Sequence, residues 1–257
     1  MRQPVHVVYG GANLFKSDTA RKLGKMSERA LAEYAPDAAA LAQILDLRGD
    51  LAAVVYQRIV EKLGREPIED YRIDFEDGYG LRPDAEEDAT VDAAAAQLGK
   101  GLEEGTLPPF IGFRIKSLSL ETRARALRTL DRFLSAVPKL PEEFVITLPK
   151  ITNDEEVAEL MDALDPYPEI GVELMVETPY SLMNLAHLVE LAEGRCVGAH
   201  FGPYDYTSSL GITSHNQHLL HPACDFARSM MLVTLAGSGI ALSDAPTNVM
   251  PPPVHRG

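Results

Sequence analysis

The sequence is poor in cysteine, short of positive charge and without a long apolar run, and each shortage removes a class of function. Only Cys196 and Cys224 occur in 257 residues, with neither a CxxC pair nor zinc-finger spacing. A disulfide framework is therefore excluded, and two reduced, packed thiols are expected. Lys plus Arg number 24 against 38 Asp plus Glu, a formal net charge of −14. A surface of that sign repels phosphate backbones and anionic headgroups, so no nucleic acid and no membrane surface is expected as partner. Cations, metals and small substrates remain. The longest apolar stretch, 230–242, is interrupted by Thr234, Gly237, Ser238 and Gly239 and falls short of a membrane span. Residues 1–11 carry one Arg and no apolar core of signal-peptide length, so a cytoplasmic protein is the expectation. No linker, low-complexity tract or short repeat interrupts the chain, and with 46% hydrophobic residues it reads as one globular domain over 1–257.

Seven short apolar or β-branched runs are present, at 5–9, 71–75, 110–115, 144–148, 172–176, 196–201 and 240–243. Helical patterns separate them, at 27–47 (split by Pro36), 84–102, 120–134, 154–164, 180–192 and 222–236. Strands alternating with helices predict βαβ units and a parallel sheet. Strand ends recur about every 39 residues, against roughly 30 in a compact eight-unit barrel. Polar and ionisable residues gather at those ends, where such a barrel builds its active site. The first strand ends in Gly10-Gly11-Ala12-Asn13 without a G-x-G-x-x-G turn, which ranks a barrel above a dinucleotide-binding sheet. The expected fold is α/β, a TIM (β/α)₈-type barrel with seven recognisable βα units. After Asp244 only 13 residues follow, Pro251-Pro252-Pro253 among them, too few for an eighth unit. The expectation is a piece of a longer protein, or a wall completed by a partner or by distorted closure.

Glu177 and Asp205, 28 residues apart, fall at the ends of neighbouring strands. Two carboxylates with waters and substrate oxygens form the usual shell of Mg²⁺, although each acid is equally readable as the cap of the next helix. Period-2 alternation in Phe113-Arg114-Ile115-Lys116 puts Arg114 and Lys116 on one strand face; the fork of Arg114 suits a substrate carboxylate or a salt bridge to Glu76 or Asp77. Asp74-Phe75-Glu76-Asp77 ends the second strand with three acids that need a proton, an arginine or a cation nearby, or else mark a turn. Lys150 at a strand end offers a rival mechanism, a Schiff base with a keto substrate, but an acidic surrounding would raise its amine pKa and disfavour the nucleophile. His215, His218 and His221 are three residues apart; with Pro222 opening a helix they are read as loop residues rather than a metal cluster. His200 is a candidate for proton transfer, and His6 a weaker one.

Taken in order, 74–77 (Asp-Phe-Glu-Asp), 113–116 (Phe-Arg-Ile-Lys), 148–151 (Leu-Pro-Lys-Ile), 174–178 (Leu-Met-Val-Glu-Thr), 202–206 (Gly-Pro-Tyr-Asp-Tyr) and 236–244 resemble the HpcH/HpaI aldolase and citrate lyase beta-subunit family. The 202–206 segment also resembles its counterpart in malate synthase. The resemblance implies a TIM barrel and a Mg²⁺-dependent (or Mn²⁺-dependent) lyase or Claisen-type enzyme acting on 2-oxo or 3-hydroxy acids, often as CoA thioesters, and working as a homo-oligomer. It implies Glu177 and Asp205 as metal ligands, Arg114 as the carboxylate ligand, Glu76 and Asp77 as supporting acids, and Lys150 lining the site. The family's Phe-Val-Pro-type first strand end and its Gly-Lys…Ile-His-Pro eighth strand have no match here. The alternatives are a Schiff-base aldolase using Lys150, and a catalytically incomplete subunit that binds metal and keto acid.

Overall fold

The structure, a computed structural model, describes residues 2–246; the Pro251–Pro253 run lies outside the described residues. The described residues gather into two compact units, 2–112 with 132–144, and 113–131 with 145–246. Of the three crossings between them, one falls inside a strand, β3 (Phe110–Arg114), one inside a helix, α5 (Arg123–Ala136), and one directly before Val145.

In the first unit, β1 (Val7–Gly11) pairs in parallel with β2 (Asp70–Asp74). Three helices connect them: α1 (Thr19–Tyr34), α2 (Ala38–Leu45) and α3 (Gly49–Arg65). The expected break at Pro36 is present, and Asp37 restarts the helix by accepting from the Ala40 N–H at 2.8 Å. β2 is buried along its whole length; Tyr71 and Ile73 alternate with Asp70, Arg72 and Asp74, and the buried Arg72 pairs with Asp70. A buried arginine needs such a partner, since an unpaired charge there would cost several kcal/mol. The following helix, α4 (Asp84–Glu104), opens with Asp84, Glu86 and Glu87 against its N-terminal dipole and stops at Gly105, whose φ of 59° makes a left-handed C-cap.

The second unit carries the end of β3 and then β4 (Val145–Leu148), α6 (Asp154–Ala163), β5 (Gly171–Val176), α7 (Pro179–Met183), α8 (Leu185–Leu191), β6 (Cys196–Phe201), α9 (Pro203–Ser209), α10 (Pro222–Leu235) and β7 (Ala241–Ser243). β4–β5, β5–β6 and β6–β7 pair in parallel. Val176 of β5 and Ala199 and Phe201 of β6 pack with Leu182, Leu185, Tyr206, Cys224, Ala227, Met231 and Leu235 of the helices. By period-2 alternation, Glu173, Met175 and Glu177 point to the opposite face of the sheet. Both thiols are free and buried, and burial pushes the Cys196 thiol up to about 12.

The strands of the sheet follow chain order from β1 to β7. All seven expected strands are present, β6 at the expected bounds and the others with ends displaced by at most two residues. Among the described residues the strand order has two ends, so the α/β sheet described is not the closed barrel expected. No helix among them is long and apolar enough to cross a membrane.

Candidate functional site

The second unit brings five of the expected residues together at the C-terminal ends of β3 to β6. Glu177 follows β5 directly and is 2% exposed. Its position is locked from the helix side: Thr178 and Ser181 form a capping box at the start of α7, Pro179 occupies the first helical position, and the Glu177 N–H donates to Ser181 Oγ at 3.2 Å. The carboxylate meets the neighbouring strand instead. Lys150, just past β4, has its backbone in the left-handed region (φ 53°) and donates its N–H to Glu177 Oε1 at 2.6 Å. A non-glycine residue holds that conformation at a cost, and such outliers gather at functional sites. The Lys150 side chain turns to α9, with Nζ 3.4 Å from Asp205 Oδ2. Asp205 lies in the first turn of that helix.

On the far side of Glu177 the chain leaves space by having no side chain. A methyl group on Gly202 would overlap Glu177 Oε2 and approach its Cβ to 2.6 Å. Gly202 therefore faces the Glu177 carboxylate, and its N–H continues the β5–β6 ladder to the Val176 carbonyl at 3.0 Å. Burial pushes the Glu177 carboxyl up to about 8, and the charge of Asp205 adds to this; Lys150 and Arg114 act the other way without cancelling it. A buried acid beside a second acid fits a divalent cation, which would supply the missing positive charge.

The donor set supports the same fit. Glu177 and Asp205 offer oxygen only, as Mg²⁺ or Mn²⁺ prefers, and no group of three His, Cys, Asp or Glu gathers among the described residues. A hard cation that keeps waters and substrate oxygens needs no third protein ligand.

Arg114 is buried at the end of β3 and donates to the Met175 thioether at 3.6 Å. Lys116, two residues on, is buried as well. His200 stands opposite Met175 in the β5–β6 register, is 5% exposed, and places Nδ1 2.6 Å from Ser243 Oγ on β7. Lys150 is engaged as an ammonium with Asp205 in this geometry, which weighs against its use as an amine nucleophile.

Glu76 and Asp77 belong to the first unit, in the turn after β2. There Asp74 accepts from the N–H groups of Glu76 and Gly78, both at 2.8 Å, and Glu76 Oε2 accepts from the Asp77 N–H at 2.8 Å. His215 lies in a short helical turn, 214–216, and His221 caps α10 by accepting from the Ala223 N–H at 3.1 Å. The His218 and His221 rings meet edge to face. The loop reading of these histidines matches their placement: His215 and His218 lie between α9 and α10, and His221 caps α10. His6 precedes β1.

Two polar residues on the inner face of the second unit escaped sequence reasoning. Glu173 is 4% exposed and accepts from Thr147 Oγ1 at 2.7 Å. Its spacing from Glu177, four residues along one strand, was a readable signal. Ser243 carried no signal of its own, since a serine at a strand end is common.

One family model, described as "Domain of unknown function (DUF6986)", matches residues 1–257. No curated protein matches the chain. Among solved structures, a citrate lyase from Burkholderia xenovorans LB400 is similar: 22% of residues are identical, the TM-score is 0.59, and the match covers 76% of this chain and 61% of that one. The chain thus spans about 61% of the length of that structure, and a likeness at this identity speaks for the fold.

Proposed function

The chain belongs to the DUF6986 family, and we propose that it is a metal-dependent carbon–carbon lyase, similar to the citrate lyase beta subunit, which cleaves or condenses 2-oxo or 3-hydroxy acids or their CoA thioesters. The observation that carries the reading is Glu177: a buried carboxyl, pushed up to about 8, with a second carboxylate nearby and a glycine in place of any side chain that could fill the space. The similarity of fold to a citrate lyase supports it. The reading also takes the strands as part of a barrel-type architecture, whose reactive groups sit at strand C-termini.

In this proposal Glu177 and Asp205 hold Mg²⁺. When bound, the ion supplies Lewis-acid polarisation of a substrate oxo group and stabilises the charge of an enolate. Arg114 fixes the substrate carboxylate by bidentate hydrogen bonds, which sets the direction in which the scissile carbon–carbon bond points. Lys150 keeps Asp205 oriented through its ammonium and Glu177 through its backbone N–H, so one residue aligns both acids. His200 gives or takes the proton at the carbon that becomes nucleophilic.

The test is turnover of a panel of 2-oxo and 3-hydroxy acids and their CoA esters, with and without Mg²⁺. Cleavage that depends on Mg²⁺ and is abolished in Glu177→Ala and Asp205→Ala supports the reading. Full cleavage without metal, or in those variants, overturns it.

A further inference from the structure

A bulge in β6 decides which residues of that strand face the site. Val172 of β5 stands opposite Cys196, but the next residue, Glu173, stands opposite Gly198, so Val197 is an extra residue in the ladder. A one-residue shift in a strand exchanges its two faces. Without Val197 as an extra residue, Ala199 and Phe201 would share the face of Glu173 and Glu177, and His200 would point to the helices. With it, Ala199 and Phe201 join the apolar cluster, and His200 points inward.

The inward side of β6 then reads Gly198, His200, Gly202 against Glu173, Met175, Glu177 of β5. Gly202 makes room for the glutamate across from it, since a methyl there would overlap Glu177, whereas a methyl on Gly198 would meet Glu173 Cγ and Oε1 at 3.4 Å, an ordinary contact. His200 stands between, opposite Met175, whose sulfur takes the Arg114 hydrogen bond. On its other side the register pairs it with Ser243, and Nδ1 lies 2.6 Å from the hydroxyl. The row Met175–His200–Ser243 thus lies one step below the row that contains Glu177 and Gly202, about 7 Å along the strands.

We infer that Ser243 is the positioning residue of His200: its hydroxyl engages Nδ1, and so holds the imidazole in one orientation on the face that carries Glu177. The hydroxyl can donate to Nδ1 or accept from Nδ1–H, so the contact fixes the ring and the direction of Nε2 in either tautomer, and its loss alters the balance between the two. The functional consequence rests on the reading of His200 as the proton-transfer group, whereas the positioning itself does not. Ionisable groups on the same face include Glu173 and Glu177 from β5, with Arg114 of β3 and Lys116 just past it.

The experiment uses the full chain labelled with ¹⁵N, without metal, and reads the tautomer of each imidazole from long-range proton–nitrogen correlations, with His200→Gln assigning the signal. Ser243→Ala is expected to change the balance of His200 tautomers from that of wild type, and Ser243→Thr to keep the wild-type balance. An unchanged His200 signal in Ser243→Ala overturns the inference. With a substrate from the panel in hand, Ser243→Ala lowers kcat roughly tenfold, KM stays within about twofold, and Ser243→Thr restores kcat. An unchanged kcat removes the catalytic consequence. If wild type turns over no substrate, the lyase reading falls, and the tautomer spectrum still decides the role of Ser243.

Discussion

Two groups of acids stand at strand ends, one in each unit, and the fold treats them differently. After β2, Asp74 and Glu76 turn their oxygens onto the backbone N–H groups of their own turn. The turn makes local use of the charge, in the manner of an Asx turn. After β5, Glu177 is carried into the interior, receives one N–H from the adjacent strand, and sits where burial outweighs the nearby cations. Motifs that look alike in sequence thus separate into a carboxylate that builds a turn and a carboxylate that the fold holds at a cost in stability. The second kind is the better candidate for function.

The contrast can be broken in several ways. The largest effect is expected on turnover: Glu177→Gln and Asp205→Asn should lower lyase kcat/KM more than roughly 100-fold, while Glu76→Gln and Asp77→Asn lower it by about tenfold or less, measured on any substrate of the panel. Equal losses in both groups would erase the difference between them.

Next in size is a pH effect on folding. The Glu177 carboxyl has an ordinary value of 4.5 and is raised to about 8 in the folded state. Between these values the folded chain keeps a proton that the unfolded chain has lost, so this contribution to stability declines as pH rises through the window. Denaturant unfolding without metal should therefore show Glu177→Gln gaining on wild type from pH 5 towards about pH 8. A parallel pH dependence in the two proteins would contradict the assignment.

The glycines sharpen the comparison. Gly202→Ala pushes a methyl into Glu177, and Gly78→Ala places one 2.5 Å from Asp74 Oδ2. Each should cost roughly 1–3 kcal/mol in chemical denaturation. Only Gly202→Ala should also weaken Mg²⁺ binding by calorimetry. Asp74→Ala removes the acceptor of two backbone N–H groups and should also cost roughly 1–3 kcal/mol, with Mg²⁺ binding unchanged.

The strands were legible because parallel strands buried on both faces read as apolar runs that stop abruptly at polar residues. Glu177, Asp205, Arg114, Lys150 and His200 were legible for the same reason, as each falls at or near such a stop. α3 was not read from the sequence: Val54-Val55 and Ile59-Val60 look like strand, and Gly49 and Gly64 look like breaks, yet packing makes one helix of Gly49–Arg65. The division into two compact units leaves no linker to find, since it passes through β3 and α5. The bulge at Val197 was also invisible, because an extra residue in one strand is defined only by the partner strand. Without it the inward face of β6 cannot be assigned, and the pairing of His200 with Ser243 does not follow from the sequence.

The claim that Glu177 and Asp205 form a divalent-cation site is tested most directly by calorimetric titration of Mg²⁺ into the metal-free chain near pH 7, in two buffers of different ionisation enthalpy. A carboxyl raised to about 8 must release its proton to bind the ion. The account predicts release of close to one proton per Mg²⁺ in wild type, and no binding in Glu177→Gln. Binding without proton release, or with the same affinity in Glu177→Gln, would contradict it.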